Sequence, residues 1–157
     1  MQRMGSRNLR LRAIQTMLAL LLIGLVGFLT PEPALRPTRA AAEELRRVHV
    51  IDGDTIESDG QRYRLVNIDT PEVGGGARCV AERRHGARAT QRARALIANA
   101  RRIETEPVGR TDAYGRIIAY VLVDGRDLGE ALIAEGLARP WRGRREPWCD
   151  AHNRLVR

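Results

Sequence analysis

The most strongly patterned stretch of the chain is an uncharged apolar run from Met17 to Leu29. Arg3, Arg7, Arg10 and Arg12 precede it, and Pro31, Pro33, Pro37 and the small residues Ala40-Ala41-Ala42 follow. No polar face recurs within it at helical spacing, which speaks against a buried core helix. A basic head, a short apolar centre and an Ala-x-Ala site together describe a secretory signal. An uncleaved anchor is the rival reading: the stretch from Leu29 to Ala42 is long for a cleavage region, while the run is shorter than the ~20 residues a span needs. Under either reading the basic flank stays inside and the remainder is exported. Residues 1–42 are therefore expected to be a signal peptide or signal anchor with a short linker, and residues 43–157 the folded domain.

Beyond residue 43 the pattern becomes that of a small mixed fold. Arg47 to Ile56, with apolar Val48, Val50 and Ile56, reads as a strand, and Ser58-Asp59-Gly60 is a hairpin signal leading into a second strand from Tyr63 to Ile68. Val80 to Ala100 is rich in Ala with charge on one side and predicts a helix, weakly interrupted at Gly86. Ile103 to Val108 and Ile117 to Val123 read as strands around an irregular connection, Gly109 to Gly115, and Asp124-Gly125 as a tight turn. Asp127 with Glu130 makes a capping-box-like start for a helix from Leu128 to Glu135, which Gly136 stops. Short strands with two helices predict an α+β fold around a curled sheet. About 115 residues suffice for one compact domain with a modest core, and with few aromatics Val, Ile, Leu and Ala must fill it.

The formal net charge of +8 comes entirely from Arg, with no Lys. Six of the 27 Arg and one of the 19 acids precede residue 43, leaving 21 Arg against 18 acids, a net +3. Such a mildly basic domain is compatible with a nucleic-acid partner without requiring one.

Candidate chemistry lies in Asp52-Gly53-Asp54, two carboxylates around a glycine inside an apparent strand, where both residue types are poor strand formers. The Asp59-Gly60 hairpin brings Arg64 beside Asp54. The second strand runs out into Asp69-Thr70-Pro71-Glu72, where Pro71 ends the ladder. Asp54, Asp69 and Glu72 then form a carboxylate cluster, which is unfavourable unless a cation or Arg neutralises it. With no Cys or His among them, oxygen-only ligands suit hard Ca2+ or Mg2+ rather than zinc, and export favours Ca2+. The competing reading is that these are turn and cap aspartates without a ligand role.

"IDGDTIESDGQRYRLVNIDTPE", "RTDAYGRIIAYV" and "GEALIAEGLARP" closely resemble the staphylococcal nuclease (thermonuclease) family over nearly all of residues 46–141, with the D-G-D-T, R-x5-D-T-P-E and T-D-x-Y-G-R blocks in order. The resemblance implies an OB-fold, a five-stranded β-barrel with packed helices. It implies Ca2+-dependent hydrolysis of phosphodiester bonds in DNA and RNA, single-stranded substrates being favoured, that leaves 3′-phosphate ends. By the same resemblance Asp54 and Asp69 ligate the ion with the Thr70 carbonyl assisting, and Glu72 positions or activates the attacking water. Arg64 and Arg116 bind phosphate, Tyr114 lies beside the nucleotide phosphate, and Asp52 supports the metal from behind the ligands. Relatives without catalysis use the same barrel as a nucleic-acid-binding module, which is the alternative function.

Several positions depart from the family pattern. Ala113 stands where a lysine is expected, the glycine-rich loop Val73 to Arg78 differs, and no aromatic pair follows Ala138. Trp141 is a candidate for base stacking, or else a cap on the barrel core. The stripe Arg84, Arg88, Arg92 reads as a solvated helix face that could also track a phosphate backbone. His49, His85 and His152 form no cluster. The chain ends at Arg157 without the family's long final helix, and Cys79 and Cys149, its only cysteines, read in an exported protein as a disulfide pinning the short tail. A two-cysteine metal site would need further ligands that only His85 or His152 could supply. A monomer is expected, with membrane contact only through the N-terminal segment if it stays uncleaved.

Overall fold

A computed structural model describes residues 42–156, so the expected leader and its cleavage or anchoring lie outside the described residues. The strands are β1 (Glu43–Glu44), β2 (His49–Asp52), β3 (Thr55–Ser58), β4 (Gln61–Leu65), β5 (Ile68–Asp69), β6 (Ile103–Thr111), β7 (Ile117–Val123), β8 (Arg126–Asp127) and β9 (Arg139–Pro140). The helices are α1 (Val80–Ala98) and α2 (Leu128–Ala134), and a 3-10 turn covers Gly74–Gly76.

β2, β3 and β4 form an antiparallel meander in which Val50 faces Ile56 and Ile56 faces Tyr63, so one side of the ribbon is apolar and buried. Asp59 (φ 48°) and Gly60 (φ 85°) make the β3–β4 turn with two left-handed residues, the type I′ geometry whose twist matches a hairpin. β4 then pairs in parallel with β7, Arg64 beside Ile118, and β6 pairs antiparallel with β7. The sheet order is β1-β6-β7-β4-β3-β2, with β8 on β7. Its five longer strands curl into an OB-fold. A separate two-stranded ribbon joins β5 to β9, pairing Asp69 with Arg139.

The core is built from Val50, Ile56, Leu65, Ile68 and Val121 of the strands, Ala89, Ala93 and Ile97 of α1, and Leu128 and Leu132 of α2. The alanines let α1 approach the sheet closely. Gly86 does not interrupt α1: a Cβ there would lie 2.7 Å from the Glu72 carbonyl oxygen, so the missing side chain lets the loop after β5 rest on the helix. Asp127 caps α2 by accepting from the Glu130 amide at 2.7 Å, and Gly136 (φ 68°) ends it.

Three boundaries differ from the sequence expectation. The strand expected from Arg47 to Ile56 is two strands, because the chain reverses at Gly53-Asp54. The Asp52 Oδ1 accepts the Asp54 amide at 3.1 Å, an Asx-type turn that draws these residues out of the ladder. β4 stops at Leu65, and β6 runs on to Thr111 through an irregularity after Pro107.

Candidate active site

The β2–β3 turn and the loop after β5 meet at Asp54. This carboxylate is 3% exposed and pairs through Oδ2 with Arg64 Nη1. Arg64 arrives there because it lies opposite Thr55 in the β3–β4 register. Asp54 Oδ2 also accepts from the Thr70 amide (3.2 Å) and hydroxyl (3.1 Å), while Oδ1 accepts from Thr55 Oγ1 (3.1 Å). Burial works to raise the Asp54 pKa, but the Arg64 guanidinium and the Thr70 amide outweigh it and hold the carboxyl below its ordinary value. Gly53 is required by space: a Cβ would meet the Thr70 side chain at 2.8 Å and Ala89 at 3.0 Å. Gly53 thus lets the turn approach the Thr70 side chain closely. Asp52, whose Oδ1 holds the Asp54 amide, has its pKa raised by burial and by the neighbouring Asp54 charge.

Asp69 closes β5. Its Oδ2 accepts the Trp148 indole N–H at 3.0 Å and lies 3.7 Å from Arg139 Nη2, and its Oδ1 accepts from Arg145 Nε at 3.1 Å. Burial raises its pKa, against the pull of Arg145 and Trp148. Glu72, on the loop resting over Gly86, forms an ion pair with Arg145 Nη1, and Arg145 Nη2 lies 4.0 Å from Asp54 Oδ2. One guanidinium therefore bridges Asp54, Asp69 and Glu72. Among the described residues no three His, Cys, Asp or Glu side chains are arranged as a ready metal cage; the carboxylates converge on Arg145 instead. An all-oxygen donor set already gathered round one positive charge fits a hard divalent cation, with Asp54 and Asp69 as the residues to hold it.

The opposite wall comes from the β6–β7 connection. Arg116 donates through Nε to Asp112 Oδ2 (2.8 Å) and through Nη1 to Thr55 Oγ1 (3.0 Å), while Asp112 Oδ1 accepts the amides of Tyr114 (2.9 Å) and Arg116 (3.0 Å). The modest burial of Asp112 works to raise its pKa, but these bonds from Arg116 and Tyr114 prevail and leave it lowered. Tyr114 is 84% exposed, with the Arg116 guanidinium 5.4 Å from its ring centroid. Trp141 is 37% exposed and stands 5.6 Å from the Arg64 guanidinium, so it faces the site and does not cap the core. A cleft of about 930 Å³ runs between the walls, lined by Asp52, Asp54, Arg64, Thr70, Glu72, Tyr114, Arg116, Trp141 and Arg145.

The structure thus brings Asp52, Asp54, Arg64, Thr70, Glu72, Tyr114, Arg116 and Trp141 to one cleft, with Asp69 bonded to the same Arg145. Thr70 acts on Asp54 through its amide and hydroxyl. Cys79 and Cys149 are joined as a disulfide, and Cys79 also caps α1, its sulfur accepting from the Glu82 amide at 3.3 Å. His85 is buried with Nε2 2.9 Å from the Gly136 carbonyl oxygen, a packing role. Arg92 pairs with Glu135 at 2.8 Å, so this member of the helix stripe is bound within the protein. Sequence reasoning missed Asp112, Arg139, Arg145 and Trp148. Asp112 and Arg139 lie inside recognised blocks, and Arg145 and Trp148 belong to the tail that the cysteine pair already marked as tethered.

A half-open barrel whose mouth sets arginines and an aromatic pair around clustered carboxylates defines an OB-fold protein with a charged cleft at the barrel mouth. The profile described as "Staphylococcal nuclease homologue" matches residues 62–156, and the chain belongs to that family. It is 42% identical over 96 residues to Endonuclease YncB of Bacillus subtilis (57% of this chain, 44% of the relative). It is 36% identical over 104 residues to the succinoglycan biosynthesis protein ExoI of Rhizobium meliloti (63% and 53%), and 34% over 107 residues to the thermonuclease of Staphylococcus hyicus (65% and 62%). The match thus spans between 44% and 62% of these three relatives.

Proposed function

We propose that the domain is a Ca2+-dependent nuclease that hydrolyses phosphodiester bonds of DNA and RNA and leaves 3′-phosphate ends. The observation that carries this reading is the cleft itself: Arg64 paired with Asp54, and Glu72 close by, on one wall, Arg116 on the other, and Asp69 joined to the first wall through Arg145. A phosphodiester is an anion that gains negative charge at its oxygens during attack. Arg116, fixed by Asp112 and Thr55, keeps its planar donors oriented towards the cleft, and Arg64 is fixed by Asp54 and the Ile68 carbonyl. Bound Ca2+ would polarise a phosphoryl oxygen and offset the developing charge. Glu72, at the cleft edge and less buried than the two aspartates, orients water and accepts its proton. Thr70 holds Asp54 in place, and its carbonyl completes the proposed ligand set. Tyr114 and Trp141 offer exposed ring faces to nucleotides, which suits single strands.

Export of this domain is part of the proposal. The basic and apolar leader supports it, as does the Cys79–Cys149 disulfide, since such bonds persist in oxidising compartments. The bridging of three carboxylates by Arg145 favours a second reading, a nucleic-acid-binding module in which the acidic cluster is neutralised from within. Digestion of single- and double-stranded substrates in Ca2+ and in EDTA, with product-end analysis, separates the two. Turnover in Ca2+ with 3′-phosphate ends supports the nuclease; retention of substrate in EDTA without cleavage in either condition supports the module.

A further inference from the structure

The tail after β9 contributes more than closure of the fold. Trp148 is 2% exposed, and its indole N–H is spent on Asp69 Oδ2 at 3.0 Å. Two side chains pack against its ring. The Arg139 guanidinium lies 3.6 Å from the ring centroid, and the buried His85 ring packs at 5.9 Å. The Trp148 carbonyl accepts the Val156 amide at 3.0 Å, and the next residue, Cys149, is bonded to Cys79 at the start of α1. A side chain held this firmly has little rotational freedom, so the carboxylate oxygen it binds is held as well.

The two oxygens of Asp69 are consequently not equivalent. Oδ2 accepts the Trp148 indole N–H and has Arg139 Nη2 at 3.7 Å, both from within the fold, whereas Oδ1 faces the Arg145 guanidinium that also reaches Asp54 and Glu72. The direct hydrogen bond to Oδ2 comes from the rigid indole, which fixes the carboxylate plane, while the Arg139 guanidinium stands further off at 3.7 Å. Arg145 lines the cleft, so Oδ1 is the oxygen reached from the cleft side.

We propose that Trp148 is a positioning residue: its indole N–H holds Asp69 Oδ2 so that Oδ1 is presented to the cation, and the Cys79–Cys149 bridge holds Trp148 there. The inference rests on the reading of Asp69 as a Ca2+ ligand. Groups that orient a metal ligand are typically worth 10- to 100-fold in metal affinity.

The test is Ca2+ binding by calorimetry on the full chain, with thermal melting in parallel, for the parent, Trp148→Phe, the double variant Cys79→Ser/Cys149→Ser, and the combination. Phe retains most of the packing and lacks the N–H. Trp148→Phe should weaken Ca2+ binding about tenfold or more at a temperature where the protein stays folded. Removing the bridge should weaken it in the parent and add little once Trp148 is Phe, although melting falls further. Unchanged affinity in folded Trp148→Phe would overturn the inference and leave the Ca2+ site standing. No binding by the parent would overturn both. Because a Phe variant can fail to fold, the parent supplies an independent readout. The Trp148 indole N–H resonance, distinguished from that of Trp141 by Trp141→Phe, should shift on addition of Ca2+; an indifferent resonance contradicts the proposal.

Discussion

Replacing Arg64 by Met removes the partner of the most deeply buried carboxylate in the cleft. Asp54 and Arg64 side chains are 4% and 10% exposed, so neither charge can recover much hydration when the other is lost. Breaking such a pair from one side costs about 3–5 kcal/mol, mostly for the charge left behind. With an unfolding entropy of roughly 2.1 cal/mol/K per residue, the 115 described residues imply a fall in Tm of about 12–20 °C. Asp54→Asn, which strands Arg64, should be costly too, but the double variant should be less destabilised than the sum of the singles by roughly 2 kcal/mol or more, since nothing charged is left unpaired. The pH dependence follows from the lowered Asp54 pKa. A depressed folded-state value contributes stability that is present above the unfolded value of 3.8 and is lost as pH falls through the folded value. In Arg64→Met the buried carboxyl instead protonates readily, so the gap between parent and variant should be full at pH 7 and narrow in acid. Urea and thermal unfolding followed by circular dichroism measure all four proteins. Additive single effects, or a gap that is the same at pH 7 and pH 3, would refute the buried-pair account.

Asp52→Asn should stabilise the metal-free protein at pH 7: a raised folded-state pKa means the charged form costs stability once pH exceeds that value, so the gain should vanish below the unfolded value of 3.8, as pH-dependent melting will show. Because Asn retains the oxygen that accepts the Asp54 amide, the same change should lower Ca2+ affinity less than Asp54→Asn does, which calorimetry can rank. Gly86→Ala should cost about 1–3 kcal/mol by overpacking and reduce turnover by displacing Glu72, in contrast to the gain that Gly→Ala brings in an open helix; a higher Tm would contradict the contact. Reducing the disulfide, which spans a separation of 70 residues, should destabilise by about 4 kcal/mol in the chain-entropy model, read as a lower Tm in reductant than in oxidised protein.

Much of this site was legible in sequence because its determinants are local. Asp59-Gly60 dictates a tight hairpin, that hairpin sets Thr55 opposite Arg64, and Pro71 ends the ladder beside Asp69. The reversal at Gly53-Asp54 was misread as a strand interior, since the apolar residues on either side, Val50 and Ile56, preserve an apparent alternation across a turn that they in fact flank as partners. The helix weakness expected at Gly86 is a packing contact, visible only once the Glu72 loop lies on α1. Arg139, Arg145 and Trp148 act on Asp69 from about 70 to 80 residues away in sequence; no periodicity links them to it. The one clue spanning that distance was covalent, the pair Cys79 and Cys149, and it indicated a tethered tail without showing that the tail enters the site.

Under the proposed function Glu72 performs proton chemistry on water beside a cation held by Asp54 and Asp69. Cleavage of single-stranded DNA by the parent and by Glu72→Gln, both folded and at equal Ca2+ occupancy, tests that role. Ca2+-dependent cleavage by the parent, abolished in EDTA, is expected, with a loss of at least about 100-fold in the variant while substrate binding is retained. Equal rates in parent and variant, or a folded parent that binds DNA and never cleaves it in Ca2+, would contradict that role.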